Sequence, residues 1–231
     1  MSEIIIVLPF TNEETQKTER LLDHIFHIGG VPGHILLVSA HDVHAEARER
    51  IKVAADVAFS SYEMIAVAPP MGKTKGEKIN FTFKQIAKYV QDTYRLPWFF
   101  MEPDCTPVSE TWYHSLCTSY KIQPKRYCGS FFKAGSTLFC SRRIIYPFDA
   151  FKDLEQFCNG DADFNFAAAS FMAPRATKTQ LVQEIIIANA TDLSKVSSNA
   201  AIIHSDKSSI ALAMREAILA SPKENCGAIP A

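Results

Sequence analysis

Short apolar runs alternate with longer amphipathic stretches through the first half of the chain. The apolar runs predict buried β-strands at residues 3–10, 34–40, 61–68 and 98–101. The stretches between them predict helices that begin near residue 11, at residues 44–59 and at residues 79–94. Because strands and helices alternate and each crossover is long enough for a right-handed βαβ unit, the pattern predicts a doubly wound, mostly parallel sheet.

The pattern becomes less regular after the fourth predicted strand. Helices are expected at residues 109–120, 148–157, 161–171 and 208–219, and short strands at residues 126–132, 137–140, 180–188 and 200–204. No linker divides the chain, so we predict one α/β domain over residues 1–220. The proline- and glycine-containing tail, residues 221–231, is expected to be flexible.

Composition narrows the classes of protein that are compatible with this pattern. The chain has 231 residues, a formal net charge of -1 and 47% hydrophobic residues, which suffices for a full core. Such a charge argues against a broad electrostatic grip on nucleic acid or on an anionic membrane. The first residues lack the basic and apolar regions typical of a signal peptide, and no apolar run is long enough to span a bilayer. The six cysteines form no Cys-x-x-Cys pair, so we expect a cytoplasmic protein with free thiols and no structural zinc site.

Two carboxylates end the most apolar strand. The run Trp98–Met101 stops at Glu102, and Asp104 follows after one proline. Open α/β sheets bind ligands at the carboxyl ends of their strands. In an extended chain residues two apart point to the same side, so we expect both oxygens to face one spot, as Mg²⁺ or Mn²⁺ with a phosphate requires. The alternative is an ordinary strand followed by a polar turn.

Two further clusters add candidate chemistry. His204 ends a short apolar strand and could ligate a metal, with Lys207 close behind to hold a phosphate. Asp161 and Asp163 open a predicted helix, where a carboxylate could act as a general base. A structural histidine and a helix cap are the simpler interpretations of these positions.

The basic loop at residues 72–78 is a weaker candidate. It has three lysines and two glycines, which loosely suits a phosphate. However, Gly72-Lys73-Thr74 has no glycine five residues before Gly72, so we reject a P-loop. A solvated basic turn explains the loop equally well.

Taken together, these features resemble the GT-A class of nucleotide-sugar glycosyltransferases from Ile4 to Ile218. Leu8-Pro9-Phe10-Thr11-Asn12 stands where that class has its nucleotide loop, and Lys78-Ile79-Asn80 is similar to a segment before its metal strand. Glu102-Pro103-Asp104 matches the metal motif Asp-x-Asp, with glutamate in the first position. The resemblance implies a Rossmann-like doubly wound sheet with a small mixed C-terminal acceptor part.

The resemblance also implies roles for individual residues. The donor would be a nucleoside diphosphate sugar, with a UDP-sugar as the expected form, and the cofactor would be Mn²⁺ or Mg²⁺. Asp104 and His204 would hold the ion, with Glu102 assisting directly or through water. Asp161 or Asp163 would deprotonate the acceptor if the transfer inverts the anomeric centre. The donor contacts would come from Pro9, Thr11, Lys78, Asn80, Glu102 and Lys207.

The sequence does not identify the acceptor, and it leaves two alternative functions to consider. The Glu-Pro-Asp-Cys-x-Pro form is most similar to small glycosyltransferases found in bacteriophage genomes, which suggests a hydroxymethylated DNA base as one acceptor. The basic residues available for a DNA backbone, equally explained as scattered surface charges, are Lys121, Lys125, Arg126, Lys133, Arg142 and Arg143. A sugar-phosphate nucleotidyltransferase is a rival, but residues 8–12 lack its glycine-rich basic signature. The second alternative is a non-catalytic nucleotide-binding protein, supported only by the glutamate at the first position of the metal motif.

Overall fold

The computed structural model describes residues 4–123, 125–134, 136–184 and 196–204. The strands of the first half are β1 (Ile5–Phe10), β2 (Val31–Ala40), β3 (Phe59–Val67), β4 (Trp98–Phe100) and β5 (Cys105–Pro107). Those of the second half are β6 (Tyr127–Gly129), β7 (Phe131–Ala134), β8 (Thr137–Cys140), β9 (Ile145–Tyr146), β10 (Ala176–Lys178), β11 (Val182–Glu184) and β12 (Ile202–His204). The α-helices are α1 (Thr15–His27), α2 (Ala45–Ala58), α3 (Lys75–Thr93), α4 (Trp112–Lys121), α5 (Ala150–Leu154), α6 (Phe164–Ala167) and α7 (Ala169–Met172).

A seven-stranded sheet forms the centre of the molecule, in the order β10-β6-β9-β4-β1-β2-β3. The pairs β1–β2, β2–β3, β1–β4 and β6–β10 are parallel, and only β9 runs antiparallel to its two neighbours in this sheet. The order β3-β2-β1-β4 is that of a doubly wound half-sheet, because the chain moves outward and then returns to the other side of β1. The predicted fold class is therefore confirmed.

Strand β1 shows why the sheet needs helices on both faces. Successive side chains of a strand point to opposite faces, and all of β1 except Pro9 is buried. Ile6 and Leu8 pack into the core formed with α1 and α2, whereas Ile5 and Val7 pack into the core formed with α3. An apolar run without alternation is thus explained by burial on both sides.

The second half builds two small sheets beside the central one. Strand β12 lies between β11 and β5, parallel to the first and antiparallel to the second. Strands β7 and β8 form a separate hairpin. These elements are the mixed C-terminal part that the resemblance implied.

Several predicted boundaries were wrong for local reasons. Helix α3 begins at Lys75, four residues earlier than expected, because Thr74 and Glu77 form a capping box that turns half of the predicted loop into helix. The predicted helix at 161–171 is two short helices, and Asp163, not Asp161, stands at the N-cap position. The predicted strand at 126–132 is divided between β6 and β7, which belong to different sheets.

Other predictions fall outside the described residues. These are the helix at 208–219, the tail at 221–231 and the last four residues of the strand predicted at 180–188. Among the helices of the described ranges, none combines the length and the apolar character that crossing a membrane requires.

Candidate active site

Strand pairing brings together two side chains that are one hundred positions apart in the sequence. Strand β12 runs antiparallel to β5, and the register sets His204 opposite Cys105. Asp104 immediately precedes Cys105, so its carboxylate reaches the imidazole, with His204 Nε2 3.1 Å from Asp104 Oδ1. The expected proximity of these two residues is therefore present in the structure.

Glu102 joins this pair by a route other than the one predicted. Strand β4 ends at Phe100, and residues 102–105 form a turn in which the Cys105 N–H donates to the Glu102 carbonyl over 3.0 Å. The expectation that Glu102 and Asp104 face one way as alternate residues of an extended chain was wrong, because the chain reverses there. The turn nevertheless brings both carboxylates towards His204, and one ligand atom from each of the three residues lies within 4.8 Å of the others.

The arrangement of these donors fits a divalent cation. Neighbouring ligands of an octahedral ion with bonds of about 2.1 Å are separated by about 3 Å. His204 Nε2 lies 3.1 Å from Asp104 Oδ1 and 3.6 Å from Glu102 Oε2, close to that spacing. Asp104 Oδ1 is buried and has no hydrogen-bond partner of good geometry within the described ranges. Two carboxylates and an imidazole are suitable ligands for Mn²⁺ or Mg²⁺, and Mn²⁺ accepts a nitrogen ligand more readily than Mg²⁺ does.

Two consecutive arginines complete the charged cluster. Arg142 Nη2 lies 3.0 Å from Glu102 Oε1, and Arg143 Nη1 donates to Glu102 Oε2. The arginines follow β8, and their side chains are only 23% and 12% exposed. The sequence did not indicate that these arginines belong to the site, and we considered them only as DNA-backbone contacts or scattered surface charges. The only signal was an adjacent Arg-Arg pair directly after a predicted strand.

The cluster lies in a large cleft at the carboxyl ends of the central strands. Its volume is about 1330 Å³, and its walls come from the loop after β1, the ends of β2 and β3, the start of α3 and the β7–β8 hairpin. The predicted site residues that line it are Pro9, Thr11, Lys78, Glu102, Asp104 and His204. A cleft at this position is where open α/β sheets bind nucleotides.

Solved structures show which fold this is, although no protein-family model and no curated protein sequence matches the chain. Galactosyltransferase LgtC, solved in complex with donor and acceptor sugar analogues, aligns with a TM-score of 0.56 and 8% identity, covering 96% of this chain and 98% of LgtC. Mouse xyloside xylosyltransferase 1 aligns with a TM-score of 0.58 and 8% identity, covering 88% and 98%. The bifunctional glycosyltransferase WbbM aligns with a TM-score of 0.62 and 11% identity, covering 96% of this chain and 50% of WbbM.

The protein has the GT-A glycosyltransferase fold. At this level of identity the likeness concerns the fold alone, and activity depends on the side chains in the cleft. In this GT-A fold the Glu102–Asp104 turn follows the central strand β4, beside the loop that leaves β1.

Asn80 is a predicted donor contact that the structure places elsewhere. Its side chain is fully buried and donates to the carbonyls of Gly160 and Ala162, each over 2.8 Å. Its Oδ1 accepts from the N–H of Phe164 over 2.9 Å. Because this amide bonds to backbone groups of the same domain, we do not propose Asn80 as a nucleotide contact.

The two candidate bases occupy different positions. Asp161 Oδ1 accepts from the Thr74 hydroxyl over 3.2 Å at the exposed start of α3, and neither Asp161 nor Asp163 itself lines the cleft. Asp163 Oδ2 lies 4.0 Å from Nε of Arg142, which does line it. Asp163 is therefore the carboxylate with a connection to the charged cluster. Lys207 lies outside the described residues.

Proposed function

We propose that this protein is a metal-dependent glycosyltransferase that moves a sugar from a nucleoside diphosphate sugar to an acceptor hydroxyl. The observation that carries the proposal is the convergence of Asp104, His204 and Glu102 in the cleft of a GT-A fold. The similar structures include a galactosyltransferase and a xylosyltransferase, which supports sugar transfer as the reaction class and leaves the sugar open.

We propose two roles for the residues of the cleft, nucleotide binding and metal binding, according to where they lie along it. Pro9, Thr11 and Lys78 are proposed to contact the nucleotide, because they line the part of the cleft formed by the β1 loop and the start of α3. Asp104 and His204 are proposed to hold Mn²⁺ or Mg²⁺, with Glu102 as a third group that acts directly or through water. The bound ion would neutralise charge on the departing diphosphate. Lys207 stays a predicted diphosphate contact.

If transfer inverts the anomeric centre, a carboxylate must take the proton of the acceptor hydroxyl. Asp163 is the better of the two predicted candidates, since it approaches Arg142 in the cleft while Asp161 is bonded to Thr74. Replacing Asp163 by asparagine should then lower transfer far more than the same change at Asp161.

The acceptor is proposed only as a hydroxyl group. Three of the basic residues considered for a DNA backbone are paired with carboxylates: Arg126 with Asp149 and Asp153, and both Arg142 and Arg143 with Glu102. The suggestion that the acceptor is a hydroxymethylated DNA base is therefore supported by the sequence resemblance alone. An oligonucleotide that contains this base should be among the acceptors tested.

The experiment is a thermal-shift screen of nucleotide sugars with and without Mn²⁺, followed by assays of hydrolysis and transfer. A true donor stabilises the folded protein by mass action, and we expect a UDP-sugar with Mn²⁺ to give the largest shift. Asp104→Ala should abolish Mn²⁺-dependent hydrolysis or transfer while the protein stays folded. Full activity in that variant would exclude the assignment of Asp104.

The same screen separates the competing functions. Release of pyrophosphate from a nucleoside triphosphate and a sugar phosphate would identify a nucleotidyltransferase. Tight donor binding with neither hydrolysis nor transfer over a broad acceptor set would indicate a nucleotide-binding protein without turnover.

A further inference from the structure

Glu102 is shared between two kinds of partner in the cleft. One side of its carboxylate faces His204 Nε2 at 3.6 Å, and both of its oxygens contact arginine guanidinium groups. The Arg142 contact is 3.0 Å and Arg143 also donates to the carboxylate, so Glu102 is paired with both arginines, whereas His204 lies beyond hydrogen-bond distance at 3.6 Å. All three partners line the cleft that the nucleotide would enter.

The cluster contains groups for an anion as well as for a cation. Arg142 and Arg143 bring two positive charges, Glu102 and Asp104 bring two negative charges, and Asp163 adds a third carboxylate 4.0 Å from Arg142. A cation that used both carboxylates would have to draw Glu102 away from the two guanidinium groups. The guanidinium groups, which are part-buried, would then lose the negative charge that stabilises them. Asp104, in contrast, has no arginine partner among the described residues.

Arginine is well suited to a diphosphate in this position. Its guanidinium presents five N–H donors in a planar fork that matches phosphate oxygens, and it stays charged at every relevant pH. The two arginines carry ten such donors, more than the four oxygens of Glu102 and Asp163 can occupy, so they can bind these carboxylates and also donate to a ligand. Low exposure of Arg142 and Arg143, 23% and 12%, strengthens such contacts relative to surface pairs.

We propose that Arg142 and Arg143 bind the diphosphate of the donor, and that Glu102 is a positioning residue which orients them and is not a metal ligand. This inference rests on the proposed function and refines it. The ion would then be held by Asp104, His204 and the diphosphate itself. Glutamate at the first position of the acidic motif is explained, because its additional methylene lets the carboxylate extend from the turn to the arginines.

The consequence is diphosphate binding without a divalent cation. The probe is inorganic pyrophosphate, titrated calorimetrically into the full chain in excess EDTA. The wild-type protein should bind it, and Arg142→Ala and Arg143→Ala should each weaken binding by about tenfold, the usual loss for one charged hydrogen bond. Arg126→Ala is the matched control, since Arg126 pairs with Asp149 and Asp153 outside the cleft, and it should bind as the wild type does.

Mn²⁺ affinity, measured by the electron paramagnetic resonance of the free ion without nucleotide, separates the two roles of the carboxylates. Glu102→Gln should change this affinity by less than about twofold but weaken pyrophosphate binding severalfold, because the arginines lose their charged anchor. Asp104→Asn should weaken Mn²⁺ binding by more than about tenfold. Arg143→Lys, which keeps the charge and loses the fork, gives a conservative variant if alanine impairs folding.

Two results would overturn the inference: unchanged pyrophosphate affinity in the arginine variants, or a loss of Mn²⁺ affinity in Glu102→Gln as large as that in Asp104→Asn. The failure of the proposed function has a different signature. Unchanged Mn²⁺ affinity in Asp104→Asn would remove the metal site, and it would leave the pyrophosphate result of the arginine variants intact.

Discussion

Asn80 links helix α3 to the chain segment that carries Asp161 and Asp163. Its two amide protons and its carbonyl oxygen are all bonded to backbone groups of residues 160–164, eighty or more positions away. The local pattern Lys78-Ile79-Asn80 suggested a donor contact, because an asparagine that opens a helix before the metal strand is typical of the class. Only the three-dimensional position of the later segment shows that the amide is a structural clamp.

The clamp predicts a loss of stability with little direct effect on the cleft. Asn80→Ala leaves the carbonyls of Gly160 and Ala162 and the N–H of Phe164 without their partner, and should lower the free energy of unfolding by about 2 to 4 kcal/mol. Urea denaturation measures this difference. Asn159→Ala is the control, because Asn159 is exposed and its side chain has, among the described residues, a single long contact, from Lys84 to its Oδ1 at 3.5 Å. A loss below about 1 kcal/mol for Asn80→Ala would contradict the clamp.

The charged cluster separates into a part that sequence could predict and a part that it could not. Asp104 and His204 could be proposed as metal ligands because Asp104 follows an apolar strand, His204 ends another, and both carry a ligand type suited to a metal. Arg142 and Arg143 were not, because nothing in residues 137–143 indicates that this chain segment runs back towards the turn at Glu102. Charge alone does not distinguish a buried arginine pair from a solvated one.

At the scale of elements, the C-terminal end of α3 is fixed to the sheet by a polar network. Tyr89 and Tyr94 both donate to the Glu63 carboxylate on β3. His34 Nε2 on β2 lies 2.9 Å from the Tyr94 hydroxyl. The start of α3 carries Lys78 on the wall of the cleft, so this network fixes the far end of a helix that forms part of that wall.

The network predicts an acid-sensitive contribution to stability. Burial raises the pKa of Glu63, but the hydrogen bonds from Tyr89 and Tyr94 more than offset it, so the pKa lies below its ordinary value of 4.5. A carboxyl group whose pKa is lowered by folding stabilises the protein above the pKa of the unfolded chain and loses this effect as the pH falls through the folded value. The contribution of Glu63 should therefore be complete at neutral pH and decline below about pH 4.5.

Urea denaturation of wild type and Glu63→Gln over a pH series tests this. The wild type should lose more stability on acidification than the variant, because glutamine cannot titrate. Glu49→Gln is the control, since Glu49 is 68% exposed and pairs only with Lys52 within the described structure. Parallel stability curves for wild type and Glu63→Gln would show that the network does not bind the charged form preferentially.

At the scale of the whole molecule, two apolar cores lie on opposite faces of one sheet. The chain has two tryptophans, and each is fully buried in a different core: Trp112 in the core with α1 and α2, and Trp98 in the core with α3. Strand β1 contributes to both cores, which couples them. We therefore expect one cooperative unit, as the single-domain prediction for residues 1–220 states.

Single-tryptophan variants test this cooperativity directly. Trp112→Phe leaves Trp98 to report one core, and Trp98→Phe leaves Trp112 to report the other. Each variant should be destabilised, but within each variant the fluorescence transition should coincide with the loss of helical circular dichroism in urea. Transitions with separate midpoints in either variant would show that the two faces unfold independently.

The overall architecture was predictable in its first half and less so in its second. Strands β1 to β3 and helices α1 to α3 are long enough for their apolar patterns to identify them, and βαβ connections leave little freedom of topology. In the second half the strands have two to four residues, which is too short for a pattern. The antiparallel insertion of β9 between β4 and β6 depends on pairing between distant segments and has no local signal.

We propose that Asp104 and His204 share one divalent cation. The most direct measurement is the anomalous difference density of Mn²⁺ in crystals of the protein grown with MnCl₂ and UDP, with Asp104→Asn crystals as the control. We expect one strong peak within about 2.5 Å of both Asp104 Oδ1 and His204 Nε2, absent in the variant. A peak elsewhere, or none at these two atoms with UDP bound in the cleft, would contradict it.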